Sequence, residues 1–213
     1  TASLNETDLD ASSPTSATIT AVNIAALFKA PDFGADDYAT QAAKDSAVTY
    51  ALSATNTDTG LFLAGETTEI KLVAVYQTPG DNTTPLVGYE GLVGGTGTKA
   101  FSVAIDNDTG EVTVQQFESL EHGTDEDVTS DPNQNNDSVT LATAGISVIQ
   151  TVEDADGDTD SATSEDALAI TFLDDGPVAA ANTGVAALTA SLNETDLDAS
   201  SPTSATITAV NIA

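Results

Sequence analysis

The feature that most constrains this chain is an unbroken repeat of its opening segment. Residues 1–25 recur without a change as residues 189–213, an offset of 188 in a chain of 213 residues. Solenoid repeats have periods of ~20–50 residues, so a period this long must fold as a domain of its own. The sequence therefore predicts one full repeat at residues 1–177, followed at residues 178–213 by a linker and the start of an identical repeat.

Identical tandem copies also bear on function. Duplication adds length or avidity, whereas an enzyme gains little from adjacent identical active sites. A natural array explains the repeat better than an engineered duplication, because the sequence runs into the second copy without a visible scar. We expect the chain to be monomeric and to neighbour identical repeats in its parent. The boundary stays open in one respect, since the segment after Pro177 could donate a strand back to the preceding repeat.

Short segments with a two-residue alternation of apolar and polar side chains dominate the chain, and they predict β-strands. They lie at residues 17–24, 47–54, 69–76, 99–105, 111–117, 138–142, 146–152 and 167–173. Turn-forming clusters at residues 78–85, 106–110 and 130–137 separate several of them. Residues 31–45 are the best candidate for a helical turn or an irregular loop. This pattern predicts an all-β, antiparallel β-sandwich.

The charge balance is extreme: four Lys and Arg against 34 Asp and Glu give a net charge of −30. So acidic a surface repels nucleic acids and anionic membranes, which excludes those partners. No apolar run approaches the ~20 residues of a membrane span. Without cysteine the chain has no disulfide, and a cation held by carboxylates is the expected source of added stability. A merely salt-adapted acidic surface is the alternative.

The strongest local signal for a metal is the sequence at residues 152–160. It places Asp154, Asp156, Asp158 and Asp160 at alternate positions after a strand. In an extended backbone alternate side chains share a face, so we expect these carboxylates to converge. Oxygen ligands at this density favour Ca²⁺. Glu165 is twelfth from Asp154, as in an EF-hand loop, but the glycine expected at the sixth position is missing. The alternative is a solvated acidic turn.

A second predicted calcium site lies at the junction between repeats. An acidic pair followed by Gly-Pro ends the repeat, and more carboxylates open each copy of the repeated segment. The residues expected to share calcium there are Asp174, Asp175, Glu194 and Asp196, together with Glu6 and Asp8 in the first copy. A shared cation would replace a flexible linker by a metal clip. Two unrelated polar turns are the alternative.

Other motifs favour structural roles. Residues 106–110 join two predicted strands and predict a hairpin with Gly110 in the left-handed conformation. His122 is the only histidine, and no cysteine is available to complete a transition-metal site. No clustered nucleophile–base signature and no phosphate-binding glycine loop is present, so we expect no enzymatic activity.

Several of these segments, taken in order, resemble the repeat domains of RTX adhesins, giant surface proteins that Gram-negative bacteria export by type I secretion. The resemblance is carried by residues 4–9, 48–53, 101–114, 120–122, 154–159 and 174–177. It implies an Ig-like or cadherin-like β-sandwich with calcium ions near its junctions. It also implies an extracellular location at the cell surface, where the repeat would act as an extender in adhesion and biofilm formation.

A directly binding module, lectin-like or ice-binding, is the alternative function. Lectin sites usually present exposed aromatic side chains beside a calcium ion, and only 5% of this chain is aromatic. Flat ice-binding faces need regular ranks of threonine, which the irregular threonine spacing here does not supply. The sequence therefore favours a calcium-stabilised extender.

Overall fold

The computed structural model describes residues 1–6, 9, 13–84, 86–123, 137–174, 190–192 and 204. The chain divides into two compact units, Thr1–Gly176 and Pro177–Ala213. The described strands of the first unit are β1 (Ala2–Asn5), β2 (Thr15–Ile19), β3 (Val48–Ala54), β4 (Asp58–Phe62), β5 (Glu69–Tyr76), β6 (Leu86–Val93), β7 (Lys99–Ile105), β8 (Val112–Gln116), β9 (Ser138–Thr140), β10 (Ile146–Glu153), β11 (Thr159–Thr163) and β12 (Ile170–Leu173). Its two described helices are short, α1 (Ala21–Ala25) and α2 (Gln41–Ser46).

The strands form three sheets. A six-stranded antiparallel sheet has the order β2-β8-β7-β6-β5-β4, and two three-stranded sheets have the orders β1-β12-β9 and β11-β10-β3. Every described strand pair is antiparallel except that of β1 and β12, which run parallel with Ala2 opposite Ile170 and Leu4 opposite Phe172. The first strand of the unit thus lies beside its last.

The smaller sheets pack against the six-stranded sheet, with β3 against β6 and β7 and β1 against β2 and β8. Phe101 on β7 and Phe172 on β12 are fully buried, and their ring centroids lie 5.4 Å apart. A Cβ at Gly91 on β6 would lie 2.5 Å from the Phe101 ring, so this position must be glycine for the ring to fit. The predicted all-β sandwich is confirmed.

The predicted strand at residues 17–24 is wrong in its second half. Strand β2 ends at Ile19, and α1 occupies Ala21–Ala25. Ile19 and Ile24 are both buried. The helical turn of α1 directs Ile24 into the same core as Ile19, although the two residues are five positions apart. Alternation of apolar and polar residues is compatible with either conformation over so short a stretch, and packing decides between them.

The segment at residues 31–45 is irregular until Thr40, whose Oγ1 accepts a hydrogen bond of 3.2 Å from Ala43 N and caps α2. Helix α2 then runs to Ser46, directly before β3. Within the described part of the chain, no helix is long and apolar enough to cross a bilayer.

The predicted hairpin between β7 and β8 is present. Asp106 N donates to Glu111 O at 2.9 Å, and Gly110 has a φ of 76°. The Asp106 carboxylate accepts hydrogen bonds from Thr109 N at 2.8 Å and Asp108 N at 3.1 Å. These bonds, that of Thr109 first, hold the pKa of Asp106 below its ordinary value.

Gly110 is the position where this hairpin is most sensitive to substitution. Gly110→Ala should lose about 1–2 kcal/mol to left-handed backbone strain. Because the new Cβ would lie 3.0 Å from the Tyr50 ring, overpacking should add about 1–3 kcal/mol. Gly65→Ala is the matched control, since its φ is 74° and nothing lies within 4 Å of the added Cβ. Urea unfolding of both variants tests this, and equal losses would contradict the packing argument.

Candidate metal centre

The acidic sequence at residues 154–158 forms the turn between β10 and β11. Asp154 N donates to Asp158 O at 3.0 Å, Gly157 N donates to Asp154 O at 3.1 Å, and Asp158 N donates to the Asp154 carboxylate at 2.9 Å. Gly157 has a φ of 98°. The expectation that these aspartates share one face of an extended strand is therefore wrong for residues 154–158, because a closed turn sets their directions.

A loop from a distant part of the chain is fastened to this turn. Ala155 N donates to Asp36 O at 3.0 Å, and the Tyr38 hydroxyl donates to Asp154 O at 2.8 Å. Within the loop, the Phe33 ring packs edge-on to the Tyr38 ring with centroids 5.7 Å apart. These contacts fix residues 33–38 against the β10–β11 turn.

The fastened loop brings a third carboxylate to the turn. Ligand oxygens of Asp36, Asp154 and Asp156 lie within 4.8 Å of one another. Asp154 and Asp156 share a side-chain hydrogen bond, which lowers the pKa of Asp154 and raises that of Asp156 from their ordinary values. The negative charges of Asp154 and Asp36 add to the raised pKa of Asp156. The ionised form of Asp156 is therefore disfavoured beside its two neighbours, and a bound cation would reduce this repulsion.

The remaining predicted aspartates of this segment line an open groove beside the cluster. The groove has a volume of about 250 Å³. Its acidic lining residues are Asp32, Asp154, Asp158 and Asp160. Asp158 and Asp160 are exposed and lie outside the three-carboxylate cluster, and Asp160 is the second residue of β11. Asp154 is thus shared between the cluster and the groove.

Three of the four lysines of the chain are paired with carboxylates outside the cluster. Lys44 pairs with Asp37 at 2.5 Å, Lys71 pairs with Asp58 at 2.9 Å and also with Glu69, and Lys99 pairs with Glu90 at 3.1 Å. The chain has four basic residues in all, so few cations are available to its carboxylates. Three oxygen ligands with room for further oxygens suit a hard cation such as Ca²⁺, which takes about 6–8 of them.

Two other predicted ligands, Glu6 and Asp174, lie in a second cluster together with His122. Glu6 is 7% exposed, and its carboxylate accepts hydrogen bonds from Gln116 Nε2 at 2.7 Å and Leu120 N at 2.8 Å. The His122 side chain is 3% exposed, with Nδ1 3.7 Å from the Asp174 carboxylate. Glu6 is thus committed to hydrogen bonds inside the protein.

The ring of His122 makes this second cluster a poor metal centre. Nδ1 lies 3.1 Å from Leu120 O, and Nε2 lies 3.3 Å from Phe172 O. Each ring nitrogen thus faces a backbone carbonyl oxygen and not an open coordination position. Hard cations prefer oxygen ligands, which also makes a histidine unsuitable for calcium. The contacts of His122 instead connect β12 to the segment after β8.

The other predicted junction ligands, Asp8, Asp175, Glu194 and Asp196, lie outside the described residues. Sequence reasoning missed Asp36, which bonds to Ala155, and Asp32, which lines the same groove as Asp154. Both lie more than a hundred residues from the β10–β11 turn in the sequence. A single sequence carries no signal for that pairing beyond the acidic residues that flank Gly34.

The hydrogen bond from the Tyr38 hydroxyl to Asp154 O gives a direct test of the contact between the loop and the turn. Tyr38→Phe keeps the ring beside Phe33 but removes the donor to Asp154 O. We expect it to lower the free energy of unfolding by about 0.5–1.5 kcal/mol. Hydrogen exchange at the Ala155 amide should accelerate, because that amide bonds to the same loop. Unchanged exchange at Ala155 would contradict the fastening.

Comparison with known proteins adds a family assignment to this geometry. No curated protein and no solved structure matches the chain. A family described as a domain of unknown function, DUF5801, matches residues 1–165, which include every strand from β1 to β11 and both acidic elements of the candidate metal centre. Because this match covers well over half of the sequence, the chain belongs to the DUF5801 family.

Proposed function

We propose that this chain is a calcium-stabilised structural extender module of a bacterial surface adhesin, which holds a distal ligand-binding region away from the cell. The observation that carries the proposal is the cluster of Asp36, Asp154 and Asp156, where a loop and a turn from distant parts of the chain meet. The unbroken repeat of residues 1–25 supports the extender role, because tandem identical domains add reach.

Calcium at this cluster would couple metal binding to folding. Its ligands come together only when the loop before α2 reaches the β10–β11 turn, so the ion binds the folded state and not the unfolded chain. Extracellular calcium modules bind at about 0.1–1 mM, and ligand at ten times the dissociation constant adds about 1.4 kcal/mol per site. The ion would therefore stabilise the domain outside the cell and not in the cytosol.

The charge of the chain gives this coupling a second effect. A net charge of −30 opposes compaction, and each bound Ca²⁺ removes two units of it. An export-competent chain in low calcium would then be easier to keep unfolded than the same chain in millimolar calcium. Folding would follow export, as the type I secretion of the resembling adhesins requires.

The proposal predicts a calcium-specific rise in melting temperature. Unmodified chain in millimolar calcium should melt several degrees higher than in chelator, since about 1 kcal/mol corresponds to ~2–4 °C for a domain of this size. Magnesium at the same concentration should have less effect, because it loses its water reluctantly. Equal melting temperatures in chelator, calcium and magnesium, measured by circular dichroism, would contradict the proposal.

Asp36→Asn and Asp154→Asn should each remove most of this calcium increment. Glu66→Gln is the matched control, because it removes one exposed negative charge from the loop between β4 and β5. Asp36→Asn is the sharper variant, since Asp36 belongs to the site only through the fastened loop. A calcium increment that survives Asp36→Asn but not Asp154→Asn would place the ion at the turn alone.

Proton release on calcium binding gives an independent prediction. The raised pKa of Asp156 means that this carboxyl still carries a proton at a pH where an ordinary aspartate is ionised. Calcium must displace that proton, so affinity should fall as the pH drops through the raised pKa. Titration calorimetry in buffers of different ionisation enthalpy should detect the released proton. Release that persists in Asp156→Asn would contradict the assignment.

Asp156→Asn should also have opposite effects on the free energy of unfolding in chelator and in calcium. In chelator, the folded state holds Asp156 against two other carboxylates, which disfavour its ionised form. The variant should therefore be as stable as the unmodified chain or more stable. In millimolar calcium it should be less stable, because a ligand is lost. Urea unfolding should therefore rank the variant at or above the unmodified chain in chelator and below it in calcium. A variant less stable in both conditions would count against a metal role.

A further inference from the structure

The repeated segment occurs in two different environments in this chain. Residues 1–25, the first copy, place Ala2 and Leu4 in the core at 4% and 1% exposure on β1. Residues 189–213, the second copy, have the same sequence, but Ala190 is exposed and Leu192 is 63% exposed. The two leucines are chemically identical, so they differ only in what covers them.

The first copy completes the sandwich at two sheet edges. Its β1 is the outer strand beside β12, and its β2 is the outer strand beside β8. It contributes three large buried side chains to the core, those of Leu4, Ile19 and Ile24. Without the first copy, β12 and β8 would each present a row of unpaired backbone groups over an open apolar core, which is a template for another strand.

We propose that the second copy is a strand donor that can take the place of the first copy in another molecule of this chain. The second copy matches the β12 and β8 edges residue for residue, because it repeats the segment that pairs with them. The donor segment and the acceptor edges are different surfaces, so the association is a heterologous, head-to-tail contact. It needs no metal and is independent of the calcium proposal.

Covalent attachment determines which copy pairs with the β12 and β8 edges in the unmodified chain. The first copy is linked to its own sandwich, and its high effective concentration keeps the acceptor edges closed. Exchange therefore requires that the first copy dissociates from the β12 and β8 edges. Identical substitutions at Leu4 and Leu192 can disable either copy separately, since the two positions are equivalent.

The test mixes full-length chains in which one copy or both are disabled. Leu4→Asp/Leu192→Asp is the acceptor, because neither of its own copies can bury the apolar strand. Unmodified chain is the donor, and Leu192→Asp is the matched control donor. We expect a one-to-one complex with the unmodified donor in analytical ultracentrifugation, and at least about tenfold weaker association with the control donor. Equal association with both donors would overturn the proposal.

Disulfide trapping fixes the register of the donated strand. Ser3 lies opposite Thr171 in the β1–β12 pair, and Ser191 is its equivalent in the second copy. The chain has no cysteine, so a Ser191→Cys donor and a Thr171→Cys acceptor give one unambiguous crosslink. A milder acceptor, Leu4→Ala/Leu192→Asp, is trapped in parallel in case the first does not fold. Absence of the mixed disulfide with both acceptors would overturn the proposal.

Discussion

The fold depends on the packing of the six-stranded sheet against the strand β12 of the opposite layer. The Phe101 and Phe172 rings meet between the layers, with centroids 5.4 Å apart and no exposure to solvent. Gly91 makes room for the Phe101 ring on the neighbouring strand. Burying two aromatic side chains contributes several kcal/mol, and it fixes the position of β12. Strand β12 in turn holds β1 on one side and β9 on the other.

Around this apolar centre the protein carries far more negative than positive charge. Three of its four lysines form local pairs on or near the six-stranded sheet and α2. The acidic turn after β10 has backbone donors as partners. Exposed pairs of this kind contribute little to stability, so the sandwich relies on its core and carries an unrelieved electrostatic cost. Stability should therefore respond to ionic conditions more than the size of the core would suggest.

Local patterns in the sequence predicted much of the fold and two of the three carboxylates of the site. Strands β5 and β7 were predicted with both ends correct, because β5 buries alternate side chains at its start and β7 does so from Phe101 to Ile105. Strand β11 was missed since all five of its residues are exposed, and β6 was missed since Gly88 and Gly91 interrupt its pattern. Asp154 and Asp156 were identified from their spacing, whereas Asp36 joins them only through tertiary contacts of Tyr38 and Ala155.

The parallel pairing of β1 with β12 has a mechanical consequence for any chain of such domains. The polypeptide enters at the start of β1 and leaves after the end of β12, and the two strands point the same way. Tension on the two ends therefore pulls the strands in opposite directions along their lengths. The hydrogen bonds between them are loaded in shear and must rupture together, whereas antiparallel terminal strands pulled from one end would unzip bond by bond. Terminal strands paired in this way resist extension more strongly than antiparallel terminal strands would.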